Sequence, residues 1–196
     1  GKVINMFRNI ADDLSIMLAE KKIIKPENRE FYFYGLQLAI SKLFFFLVIL
    51  IISILTKTLL VSMAFVFMYS AIRKYSGGHH CRSEVCCFFV SILLYLIMIL
   101  FYDMDAYGVR IFLCISASVS IIFIIIFSPI EHKNKPLSTE ERTKYGIISK
   151  MVAITLIVTV YVSLFLHINI LFYSSSYTLT VDAVLILFAL NGGETQ

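Results

Sequence analysis

Five side chains able to take up a proton or attack a carbonyl lie within nine residues: His79, His80, Cys81, Cys86 and Cys87. They are two of the four histidines and three of the four cysteines of the chain. An imidazole changes charge near neutral pH, and a thiol beside a base becomes a strong nucleophile. Two His-to-Cys pairs share a spacing of seven, His79 with Cys86 and His80 with Cys87. Seven residues of unbroken helix rise about 10.5 Å, whereas a nucleophile and its base stand about 2.6–3.2 Å apart. The histidine must therefore sit on a loop folded back over a helix start, and Gly77-Gly78 permits that turn. Spacing alone does not choose between the pairs.

The same stretch places its thiols favourably. Ser83 is suited to cap a helix that carries Cys86 and Cys87 in its first turn. The positive end of the helix dipole draws a thiol toward thiolate. Glu84 opposes that effect, so a histidine is needed as well. No C-x2-C pair is present, and adjacent residues rarely ligate one ion, so neither a metal nor any other cofactor is expected. His79, Cys81 and Cys86 read as ordinary interfacial residues and Cys114 as packing.

The elements that must hold this stretch belong to a membrane protein. The chain is 59% apolar and only 15% charged, with a mean hydropathy of +0.87; a soluble domain carries about 45–50% and about 25%. A net charge of +4 over 196 residues gives no reason to expect nucleic acid as a partner. Four cysteines without secretory spacing argue against a disulfide framework. Gly1 in first place points to a trimmed start.

One membrane-embedded domain is expected over 1–196, divided into a surface helix and linker (1–30), a six-span bundle (31–190) and a tail (191–196). Ile4, Phe7, Ile10, Leu14, Met17 and Leu18 recur at helical spacing, predicting an amphipathic helix that lies on lipid or on the protein's own cytoplasmic side. Six apolar runs follow, at roughly 33–55, 58–72, 86–101, 110–128, 151–172 and 177–190. A span needs about 20 residues, so the second, third and sixth must borrow flanking residues or sit in thinned bilayer. With the N-terminus inside, cytoplasmic segments hold 14 of the 17 basic residues, which satisfies the positive-inside rule. Both termini and the His/Cys stretch are then cytoplasmic. Ser116 and Ser120 form a small-xxx-small pattern for close packing, within one chain or between the chains of a homodimer. Lys42 falls inside the first run, where it either snorkels or faces inward. Asp182 falls near the outer end of the sixth, where solvation is expected. His167 and Asn169 read as interfacial residues, and His132 as a loop residue.

The run Arg73-x-x-x-Gly77-Gly78-x-His80-x6-Cys87 resembles the signature of the accessory gene regulator B (AgrB) family, membrane endopeptidases of Gram-positive peptide quorum sensing. Tyr34-Gly35-Leu36-Gln37-Leu38 resembles the opening of that family's first span, and Asn134-Lys135-Pro136-Leu137 with Glu140 and Glu141 its basic cytoplasmic loop. The resemblance implies a bacterial plasma-membrane cysteine endopeptidase that removes the C-terminal tail of an AgrD-type propeptide. The acyl-enzyme thioester so formed leads to a thiolactone or lactone ring. Carried over by position, His80 and Cys87 are the catalytic pair, supported by Arg73, Gly77 and Gly78. Cys81 departs from the small residue, often Ala, that usually follows the histidine, and Gln37 stands where some relatives carry Glu. An acidic propeptide tail would suit Lys74, Arg82, Lys133 and Lys135, with Gln37 and Lys42 as further candidate contacts. The rival reading is a six-span transporter or channel subunit with a His/Cys sensing loop; it requires a polar path across several spans.

Overall fold

A computed structural model describes residues 2–77, 84–130 and 138–191. Their architecture is helical: α1 (Lys2–Glu20), a 3-10 turn (Pro26–Asn28), α2 (Arg29–Leu55), α3 (Leu59–Ser76), α4 (Glu84–Met104), α5 (Tyr107–Phe127), α6 (Thr139–Phe165) and α7 (Asn169–Asn191). No strand occurs among the described residues; Gly77 and Ile130 form an isolated parallel bridge. The helices form two units, one ending at Leu55 and the other beginning at Thr56.

In the first unit α1 packs on α2. Among its described side chains Ala11 and Ser15 are buried, while Ile10 and Met17 of the predicted apolar stripe stay exposed. The small residues let the helices approach, and Arg29 of α2 reaches back to Asp12 and Ser15 of α1.

The second unit is built around α7, which packs against α3, α4, α5 and α6. Its buried face includes Phe172 through Leu179, then Asp182, Ala183, Ile186 and Ala189. α3 answers with Val61, Phe65, Ile72 and Ser76, a 3.6-residue periodicity read as one buried stripe. Inside a bilayer a polar group must find a partner within the protein. Ser62 shares a 2.8 Å hydrogen bond with the Tyr95 hydroxyl, Tyr177 donates to the Leu94 carbonyl at 2.9 Å, and Ser174 donates to the Val61 carbonyl at 3.0 Å. The Ser116/Ser120 stripe packs within the chain: Ser116 bonds Thr180 of α7 at 2.9 Å, and Ser120 is buried.

Five helices, α2, α4, α5, α6 and α7, are long and apolar enough to cross a membrane. α3 is not among them, because its 18 residues include Arg73, Lys74 and several hydroxyls. The last two helices also differ from the sequence expectation. Ser174-Ser175-Ser176 reads as a break, yet α7 runs through it. Ser175 donates to the Leu171 carbonyl and Ser176 to the Phe172 carbonyl, both at 2.6 Å, so the hydroxyls fold back onto their own helix. The break lies instead at His167, whose φ of 56° closes α6. There Ile168 N–H bonds Ser163 and His167 N–H bonds Leu164, the paired closure of a helix C-terminus.

Two further devices fix the ends of this unit. Ser138 and Glu141 exchange side-chain and backbone hydrogen bonds, so α6 starts at Thr139 inside the polar 129–150 segment. Between α4 and α5, Asp105 accepts from Tyr173 at 2.7 Å, from Arg110 at 2.8 and 2.9 Å, and from Asn169 at 3.2 Å. The Tyr173 hydrogen bond, then those of Arg110, hold the Asp105 carboxyl below the usual carboxylate range.

Candidate active site

The site is assembled where α3 ends. Gly77 has φ 73° and ψ −144°, a region that side chains largely forbid. A Cβ there would stand 2.1 Å from the Ile130 carbonyl oxygen. The conformation lets Ile130 N–H donate to the Ser76 carbonyl at 2.9 Å. Arg73, one turn back, donates through Nη1 to the Gly77 carbonyl. Two backbone carbonyls left over at the helix end are thus satisfied by named partners.

Beneath this turn lies a carboxylate. Asp182 is 0% exposed; its Oδ1 accepts from Ser76 Oγ at 2.8 Å and stands 3.9 Å from Arg73 Nη1. Tyr69, a turn before Arg73 on α3, lies within electrostatic reach of Arg73, Asp182 and Cys87. Cys87 sits in the first turn of α4 and is half-buried, whereas Cys86 beside it is exposed. Consecutive helical residues point about 100° apart, so the two thiols meet different surroundings.

Of the residues singled out from sequence, Arg73 and Gly77 come together at the end of α3, and Cys87 stands in the first turn of α4, in electrostatic reach of Tyr69. Arg73 and Gly77 act here as framework: one binds the turn, the other makes it possible. Lys74 is exposed, with its Nζ 5.2 Å from the Tyr75 ring centroid. Gln37 is half-buried and Lys42 exposed on α2, in the first unit. Gly78, His80, Arg82, Lys133 and Lys135 lie outside the described residues, as do His79 and Cys81.

Asp182 requires a correction. It is not a solvated group at the outer end of the last helix but a buried one against the last residue of α3. Because α7 begins at Asn169 rather than near 177, Asp182 lies more than half-way along it. The available signal was an ionisable side chain in an apolar run, which usually faces a partner. Ile130 gave no such signal, since its backbone does the work.

These features define a helical membrane protein with a cysteine and a buried Arg–Asp pair at one end of its bundle. A family model, Accessory gene regulator B, matches residues 9–189, and the chain belongs to that family. An AgrB-like protein of Clostridium perfringens (strain SM101 / Type A) is 28% identical over 189 residues, covering 92% of this chain and 85% of the relative. Accessory gene regulator protein B of Staphylococcus carnosus (strain TM300) is 29% identical over 132 residues, covering 65% of this chain and 67% of that protein. No solved structure matches the chain.

Proposed function

We propose that this protein is a cysteine endopeptidase that trims an AgrD-type propeptide, with Cys87 as nucleophile and His80 as base. The observation that carries the reading is the position of Cys87: a half-buried thiol in the first turn of α4, in electrostatic reach of Tyr69, which lies one turn before Arg73 on α3. His80 follows Gly77 by three residues, so the pinned turn sets where the chain carrying the base departs. His80 takes the thiol proton, and the thiolate adds to the propeptide carbonyl. Backbone N–H groups around Gly77-Gly78 or at the start of α4 would hold the oxyanion. Collapse breaks the C–N bond, His80 returns its proton to the leaving amine, and the tail departs. The thioester keeps the acyl group activated, and a Cys or Ser of the propeptide attacks it to close a ring and free Cys87. Purified protein incubated with the propeptide should yield the free tail and an acyl adduct on the Cys87 peptide by mass spectrometry. A propeptide left intact, or an adduct on another cysteine, would refute the assignment.

The rival transporter reading gains little from the polar residues of α7. Ser175 and Ser176 return their protons to their own helix rather than lining a path. A basic rim of Lys74, Arg82, Lys133 and Lys135 would draw an acidic tail toward Cys87. The protein is proposed to work in the bacterial plasma membrane, against lipid and as a monomer or homodimer, with α3 completing six spans.

Both termini and the Cys87 end are placed on the cytoplasmic side by the positive-inside rule. An engineered cysteine at position 105 should then react with an impermeant maleimide in intact cells, and one at position 140 should not. The reverse labelling pattern would move the chemistry outside.

A further inference from the structure

We propose that Asp182 is a positioning residue for the Cys87 site, acting through Arg73 and Ser76; the inference rests on the peptidase reading above. A buried carboxylate is costly in the membrane unless it is paired and hydrogen-bonded. Asp182 is fully buried, yet among the described residues its Oδ2 has no hydrogen-bond partner. Its Oδ1 has two neighbours, Ser76 Oγ at 2.8 Å and Arg73 Nη1 at 3.9 Å. Both neighbours belong to the last turn of α3, and both are tied to the backbone at Gly77. Arg73 donates to the Gly77 carbonyl, and Ser76 supplies the carbonyl that accepts from Ile130.

Charge explains why the acid is aspartate and not an amide. An arginine at a helix end near the membrane surface ordinarily extends its head to water or to lipid phosphate. Here its side chain is only 15% exposed and curls back onto a carbonyl of its own turn. A negative charge behind the turn opposes the outward pull. Asparagine would keep the acceptor for Ser76 but remove that charge. Asp182 thereby fixes the turn at which the chain leaves α3, three residues before the proposed base and ten before Cys87.

The test compares wild type with Asp182→Asn, Asp182→Glu, Arg73→Gln and the Arg73→Gln/Asp182→Asn double variant, each purified in detergent and matched for folded protein by thermal melting. The readouts are kcat and KM on the propeptide, and the rate at which iodoacetamide alkylates Cys87, followed in a Cys86→Ala background by mass spectrometry. Asp182→Asn should lower kcat about 10- to 100-fold, the scale of a sub-ångström to ångström misplacement, with KM changed less than about twofold. It should also slow Cys87 alkylation, and Asp182→Glu should recover part of both losses. The double variant should be no worse than the poorer single one, because both changes break one linkage. If folded Asp182→Asn keeps the wild-type kcat and alkylation rate, or if the two losses simply multiply, the proposal is overturned. A wild type that cleaves no propeptide would refute the peptidase reading; the alkylation rates would then decide the positioning role alone.

Discussion

Cys87→Ala should reduce propeptide cleavage below about one thousandth of wild type, the scale of loss when a covalent mechanism is deprived of its nucleophile. Cys86→Ala and Cys81→Ala should keep most activity. Cys86 occupies the next position on the same helical turn but is exposed, about 100° away from the face Cys87 presents. Exchanging the two would demand that α4 rotate, and its packing against α7 resists that. His80→Ala should be similarly inactive. Without His80 the proposed acceptor of the thiol proton is gone. Cleavage assays on protein matched for membrane insertion decide the matter. An inactive Cys86→Ala beside an active Cys87→Ala would assign the chemistry to the other His–Cys pair.

The second large effect is expected at Gly77. Alanine there must hold a backbone conformation that costs about 1–3 kcal/mol for a side-chain-bearing residue. It must also place Cβ 2.1 Å from a backbone oxygen, that of Ile130, which no change of rotamer relieves. The bridge to Ile130 would open, and the Ser76 and Gly77 carbonyls would lose their registered partners. Cleavage should fall about 100-fold or more, with a lowered melting temperature in detergent. Gly108→Ala is the matched control: nothing lies within 4 Å of its added Cβ, so it should melt and cleave like wild type. A Gly77→Ala variant with wild-type cleavage would mean that the turn does not position the site.

The polar stretch 73–87 and the all-helical membrane frame were legible because membrane composition and charge asymmetry are strong, chain-wide signals. Their details were less so. The serines of α7 looked like a loop because hydropathy counts a hydroxyl as polar wherever its proton goes; here it goes to a carbonyl one turn back. That misreading moved the start of the last helix and, with it, Asp182 to the wrong end. The turn at Gly77 was visible as a glycine pair, but its partner, Ile130, was not. A backbone bridge across 53 residues leaves no mark in side-chain chemistry. His167 likewise closes α6 in a left-handed conformation that is uncommon for residues other than glycine and that no residue pattern announced.

The bridge between Gly77 and Ile130 has a mechanical consequence. Both residues are departure points: the chain goes on from Gly77 to His80, and from Ile130 to Lys133 and Lys135. A peptide gripped by those lysines, as proposed above, would pull on a segment whose first residue is bonded to the turn from which the proposed base departs. The Ile130–Ser76 hydrogen bond gives the two segments one footing. Lengthening the tether between Ile130 and Lys133 would slacken the grip and leave the footing of the base in place.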